Sequence, residues 1–479
     1  MSSPGPIPVA SIAASDRVPF LQKIMFSAGG TMDFVSTGLL TSVLWMPYFN
    51  IGLGMSPALL GVVLMVLRGW DAFVDPVMGN FSDNLRTRWG RRRPCLAVGA
   101  VLTAALFPWF WRLPAHWSES WQVAYLIVLG MIFFASFSCW SMPYYGLQLE
   151  LTPNYDERTR LTAWMSLCSK FSGLGGGWIL AVLTSQWFNN PITGKPDIVH
   201  AVQTASWFFA VLILITGMLP PLFVKERYYK SETSHQPRDP LWQSIRESVR
   251  CRPLWFLIGI SFFLVLGDAS GNALGQYMNI YYINRGHLSQ AFMIGGWVSS
   301  ATFVTGIVCI PFWTWMGEKF DKKTVVCVLL TGGVFGNFLN YFCLRPDMPY
   351  LQMVPALFGS MVITAVWLYL PSMKADVADY DELDTHRRRE GALNAFYSWF
   401  IKAALTTGAG VGGCLVQFSG FRAALVEQPP EVLQHMRWIY LSVPALFYSC
   451  TIIFIWHYPL NRKRMAAIRA ELEIRRGKM

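Results

Sequence analysis

Three charged side chains, Arg68, Asp71 and Asp75, interrupt one apolar stretch, VVLMVLRGWDAFVDPVM at residues 62–78. On a helix, Asp71 and Asp75 share a face, and Arg68, three residues before Asp71, adjoins them. Two carboxylates this close in a low dielectric need a counter-ion: a bound Na⁺, a proton, Arg68 or a basic residue from another segment. Ligation by oxygen alone suits a hard cation, so Asp71 and Asp75 are the residues expected to hold the ion. The competing reading is a buried ion pair that locks two helices together. Two acids against one Arg leave an acid over, which favours a cation or proton site. Lys402 lies within another apolar run, YSWFIKAAL. A lone buried Lys tends to lose its proton, so the acidic pair is its natural partner. A Lys that competes with a cation for the same carboxylates is a coupling device; the plainer alternative is a static salt bridge.

Asp33 sits among small residues in GGTMDFVSTG. A carboxylate accepts two hydroxyl hydrogen bonds at once, which suits a polyol; capture by a donor on a neighbouring helix is the alternative. Ser138, Trp140, Ser141, Tyr144 and Tyr145 put hydroxyls and flat rings side by side, a combination that fits a sugar and equally fits ordinary helix packing. Lys170 and Asp268 are further charges inside apolar runs.

Composition says what must position these groups. Of 479 residues, 53% are hydrophobic and only 14% charged, with mean hydropathy +0.35; soluble domains carry about 25% charged residues. A chain this apolar cannot cover a soluble surface and reads as a polytopic membrane protein. Twelve segments are long enough to span: 25–49, 57–81, 94–112, 121–149, 161–188, 201–224, 254–283, 290–316, 324–344, 349–373, 391–419 and 435–458. Helices are expected because a spanning backbone must satisfy its own hydrogen bonds.

With the N-terminus in the cytoplasm, 30 of the 39 Lys and Arg fall on that side, against six outside. The positive-inside rule therefore puts both termini in the cytoplasm, and it accounts for the net charge of +11 without a nucleic-acid partner. The nine Cys show no CxxC and no paired spacing, so neither a metal site nor a disulfide framework is expected. The first twenty residues do not read as a cleaved signal peptide. Without HExxH, GxSxG or a P-loop, an enzyme is not expected.

The longest loop divides the chain into a segment 1–24, a six-helix half 25–224, a cytoplasmic loop 225–253, a second six-helix half 254–458 and a basic tail 459–479. Basic turns after the second span of each half (Gly79–Pro94 and GEKFDKK at 317–323) hint at parallel repeats around a central site. The tail is expected to form a short basic helix on anionic headgroups, or to be a solvated extension.

RGWDAFVDPVMGNFSDNLRTRWGRRRP at 68–94 resembles the glycoside–pentoside–hexuronide:cation symporter family, which includes the melibiose permeases, within the major facilitator superfamily. DERTRL at 156–161, ADVADYDELDTHRRREG at 375–391 and the spacing to Lys402 agree with that family. The resemblance implies an all-α major facilitator fold and symport of a glycoside or small saccharide with Na⁺ or H⁺. It implies no cofactor beyond the coupling ion, and a bacterial inner-membrane protein working as a monomer. By position, Asp71, Asp75, Ser138 and Lys402 form the implied cation site. The implied substrate set is Asp33, Arg68, Ser141, Tyr145, Ser166, Lys170, Trp367 and Ser398. Tyr145 stands at a sugar-stacking Trp position. Ser141 replaces a second sugar-binding Asp, and Ser166 replaces a span-5 Arg for which Lys170, one turn on, is a substitute. These departures touch the substrate pocket and spare the cation machinery. A lipid-like substrate on the same fold, or a solute sensor that does not transport, are the other readings.

Overall fold

The computed structural model describes residues 17–114, 116–151, 155–224, 248–385, 390–422, 425 and 427–476. It is helical throughout. Among the described residues, eleven helices are long and apolar enough to cross a membrane.

The chain opens with a helical run from Phe20 to Gly52. It comprises α1 (Phe20–Ser27), α2 (Gly29–Asp33) and two π-helical stretches, Phe34–Leu44 and Met46–Gly52. A regular span at 25–49 is the sequence expectation; the structure starts it earlier and breaks it up, so no single piece reaches eighteen residues. Two local causes are visible. Pro47 has no N–H to donate, and the Thr37 and Thr41 hydroxyls bond back to the carbonyls of Asp33 and Thr37, at 2.9 and 2.8 Å, a habit that bends helices.

The remaining helices are α3 (Pro57–Asn84), α4 (Arg93–Phe110), α5 (Glu119–Glu150), α6 (Tyr155–Leu183), α7 (Ile198–Phe223), α8 (Arg252–Tyr277), α9 (Leu288–Val308), α10 (Ile310–Lys319), α11 (Lys322–Cys343), α12 (Met353–Thr385), α13 (Glu390–Phe418), α14 (Pro430–Trp456) and α15 (Arg462–Arg476). Prolines 76, 143, 220, 221, 371 and 444 lie inside them, where neighbouring helices re-satisfy the freed backbone groups.

Two expectations at the ends of helices are corrected. The spans 349–373 and 391–419 leave 374–390 as a connection, yet α12 continues to Thr385, because Asp376 and Asp381 are buried and Lys322 Nζ pairs with Asp376 Oδ2 at 2.7 Å. The tail does form a helix, but its apolar side packs on the protein rather than on headgroups or water. Met465, Ile468 and Leu472 join a buried cluster with Leu254, Val326 and Tyr369.

The apolar core comes in two clusters. One joins the N-terminal half to the loop-side ends of C-terminal helices, including Tyr277, Tyr281 and Phe421. The other lies within the C-terminal half, toward the end where α15 sits. The halves therefore meet at the end opposite the termini. There Tyr277 donates to Asn50 Oδ1 at 2.7 Å and Ser56 to Gln417 Oε1 at 3.3 Å. Gly61 of α3 and Gly413 of α13 allow near backbone contact. A Cβ on Gly61 would lie 3.1 Å from the Ala409 carbonyl oxygen and 3.2 Å from Gly413 Cα.

The segment before α1 is tied down by Glu157 at the start of α6. Its carboxylate accepts from the Val18 N–H at 2.9 Å and from Lys23 Nζ at 2.6 Å. Burial alone raises the Glu157 carboxyl, but the bonds from Lys23 and Val18 outweigh it and hold the group below its ordinary value. A depressed carboxylate contributes stability that is complete above the unfolded value of about 4.3 and is lost as pH falls through the lower folded one. Glu157→Gln is expected to lower Tm at pH 7 and to converge on the parent as the pH is taken to 3. A gap independent of pH would show that the ion pair does not anchor this segment.

Candidate cation and substrate site

The acidic pair lies at mid-length in α3, one turn apart, and both carboxylates are buried. Lys402, at mid-length in α13, reaches across from the other half. Its ammonium is in direct contact with Asp75 Oδ2 and lies 3.8 Å from Asp71 Oδ2. Ser138, fully buried on α5, donates to Asp71 Oδ1 at 3.2 Å. Asp75 Oδ1 is buried and accepts no hydrogen bond among the described residues, so one acceptor of the pair remains open.

Arg68 is a secondary partner here, 4.0 Å from Asp71 Oδ2. It is held by Thr41 Oγ1 at 3.1 Å and by the Phe134 ring, whose centroid is 5.4 Å from the guanidinium carbon. Asp33 sits at the end of α2 and accepts from the Tyr145 hydroxyl at 2.9 Å. Tyr145 is exposed along much of its ring and meets Tyr144 edge-on. Capture of Asp33 by a neighbouring helix, the alternative reading of this residue, is thus what the structure displays.

The structure brings Asp33, Arg68, Asp71, Asp75, Ser138, Tyr145 and Lys402 into one neighbourhood. Among the described residues, no side-chain bond ties the other members of the expected substrate set to it. Ser141 is buried on α5, one turn from Ser138. Ser166 and Lys170 are exposed on α6, and Ser398 is exposed one turn before Lys402. Lys170 follows the helical face of Gly177, and Trp367 that of Ile363; Gly177 and Ile363 both line a central cavity. Thr41 and Phe134, which steer Arg68, were missed in the sequence, where nothing marks them out from other apolar-run residues.

Chemically, the cluster offers carboxylate and hydroxyl oxygens around a position now taken by an ammonium group. The carboxylates and the ammonium group belong to opposite halves of the molecule, so the pair ties the two halves together.

An all-helical bundle of two halves with a charged cluster between them defines a multi-pass membrane transporter of the major facilitator type, not an enzyme. The chain belongs to the family described as MFS/sugar transport protein, whose profile matches residues 26–462. It is 25% identical to a glucuronide carrier protein homolog of Escherichia coli, over 90% of each chain. It is 21% identical to a sodium-dependent lysophosphatidylcholine symporter of Danio rerio, over 96% of this chain and 91% of that one. Its fold is similar to a bacterial homologue of the human lysosomal transporter Spinster, with a TM-score of 0.62, 12% identity, and 94% and 97% of the two chains covered.

Proposed function

We propose that this chain is a secondary active symporter that moves a glycoside or other small saccharide with Na⁺ or H⁺ by alternating access. The observation that carries the reading is the tie between Lys402 of one half and the Asp71–Asp75 pair of the other. A cation entering between the carboxylates takes over the role of the ammonium group, supported by Ser138 and by the open Asp75 oxygen. That releases the tie between halves and leaves Asp33, Arg68 and Tyr145 to engage hydroxyls. Ser141, Ser166, Lys170, Trp367 and Ser398 complete the proposed substrate surface. Cation and saccharide should then strengthen each other's binding by one common factor, since linkage is reciprocal.

Counting the opening run as the first, the protein has twelve spans in two six-helix halves, 25–224 and 254–458. The 30-to-6 bias of basic residues supports cytoplasmic termini in a bacterial inner membrane. The closed end then faces outward and this conformation opens to the cytoplasm. We take the monomer as the working unit. A lipid-like substrate is the second reading, motivated by the lysolipid symporter among the relatives.

The deciding experiment compares the melting temperature of the purified protein in NaCl, LiCl and KCl at equal ionic strength. At about 100 dissociation constants, a cation that binds only the folded protein stabilises it by about 2.7 kcal/mol. A rise specific to Na⁺ or Li⁺ is the expected result for alkali coupling. Identical melting in all three salts, together with no response to pH between 5 and 8, would remove the cation site from the proposal.

A further inference from the structure

A cavity of about 610 Å³ lies beneath the closed end, carved mostly into the C-terminal half; ligand pockets run from roughly 300 to 1,000 Å³. Its N-half wall includes Ser42 on the opening run and Gly177 on α6. Asp71, Asp75 and Lys402 are not part of its lining.

At mid-length in α8 the cavity meets Asp268, whose exposed surface faces this interior. One carboxylate oxygen accepts from Asn272 Nδ2 at 3.1 Å. Among the described residues, no Lys or Arg pairs with it. The wall beside it is built by a glycine stripe. Gly267, Gly271 and Gly275 on α8 face Tyr448, Pro444 and Tyr440 on α14 in antiparallel order, so that a Cβ on Gly275 would touch the Tyr440 ring at 3.4 Å and one on Gly271 would touch Pro444 at 3.6 Å. The stripe lets both tyrosine rings lie against the backbone and line the cavity. Tyr440, Tyr448 and Gln276 make no side-chain hydrogen bond among the described residues, although all three face the space.

We infer that this cavity is a second saccharide subsite, holding a further neutral, hydroxylated ring of a substrate whose first ring engages Asp33. The inventory argues for that class. Asp268 is an acceptor, the Gln276 amide both donates and accepts, and each tyrosine adds a hydroxyl and a flat ring. Donors and acceptors together beside an aromatic surface match a sugar ring, with its hydroxyl rim and apolar face. An acyl chain would leave these groups unpaired in a dry pocket, which is unfavourable. Asp33 and Ser42 share one helical run nine residues apart, so a ligand reaching from the first site into the cavity extends along that run. The inference rests on the saccharide reading and deepens it to a substrate of two or more rings.

The test is a binding series in the cation that stabilises the protein, using methyl monosaccharides and disaccharides sharing the same non-reducing ring. Disaccharides are expected to bind at least about tenfold more tightly than the matching monosaccharide. Asp268→Asn should collapse that ratio toward one, and Tyr448→Phe should reduce it, which keeps the test alive if the first variant is poorly folded. Monosaccharide binding with no gain from a second ring would overturn this subsite and leave the saccharide reading standing. No binding by either length would overturn both. Stabilisation by tetramethylammonium that Asp268→Asn abolishes, without a second-ring gain, would overturn it in favour of a cation cavity.

Discussion

Asp75→Asn is expected to abolish cation-driven uptake while the protein still folds and reaches the membrane. Asn has nearly the same shape and keeps one oxygen, so packing around α3 should survive, and Lys402 retains Asp71 as a partner at 3.8 Å. The charge is what disappears. A unit charge 4 Å from a cation is worth about 4 kcal/mol at an effective dielectric of 20, which approaches a thousandfold in affinity. With one oxygen ligand retained, a loss of about 100-fold or more in cation affinity is expected. In the melting experiment the response to the coupling ion should flatten, and counterflow of saccharide should no longer depend on it. Undiminished cation-driven uptake by the variant would assign the ion to another part of the molecule.

Lys402→Ala should do the opposite to the salt dependence. Without the ammonium group, two buried carboxylates face each other, and among the described residues Arg68, 4.0 Å from Asp71, is the remaining cation paired with them. Removing one partner of a buried ion pair typically destabilises by about 3–5 kcal/mol, and that is the expected deficit in cation-free buffer. The coupling ion, now without a competitor, should restore most of it, so melting should depend on cation concentration more steeply than in the parent. Transport should fail because the halves lose a tie that cation binding would otherwise release. A variant that melts low and shows no rescue by cation would reduce Lys402 to a structural salt bridge. The two substitutions therefore separate the acceptor of the ion from its competitor by the sign of one slope.

The parts of this site that were legible in the sequence are those where the physics of burial is unforgiving. Asp71, Asp75 and Lys402 stand out because a charge within an apolar run needs a partner, and helical spacing already places the two acids together. The tie across the halves follows from the same need. Tyr145 stood out in the sequence as a hydroxyl and flat ring suited to a sugar, but its bond to Asp33 depends on how α2 and α5 pack, which no local pattern encodes. The irregular opening run was hidden too, since a π turn changes hydrogen bonding without changing hydropathy. Asp268 reads in the sequence as one more charge inside an apolar run, because what distinguishes it is the space around it. One wall of that space forms where the Gly267–Gly275 stripe meets the tyrosines of α14, two elements some 170 residues apart in the chain. Ser141, Ser166, Lys170, Trp367 and Ser398 make no side-chain hydrogen bond or ion pair among the described residues, so the structure adds nothing to their reading from the sequence.

The burial of α15 bears on how the molecule is made. Leu254 and Leu472 belong to one apolar cluster, so the first of these partners is synthesised long before the last. At roughly 5–20 residues per second, the nascent C-terminal half waits about 10–40 s between them with part of its core unsealed. All spanning helices are complete before α15 begins. A chain that stops short of Arg462 would carry every spanning helix yet leave Leu254, Val326 and Tyr369 without the cover that Met465, Ile468 and Leu472 give them.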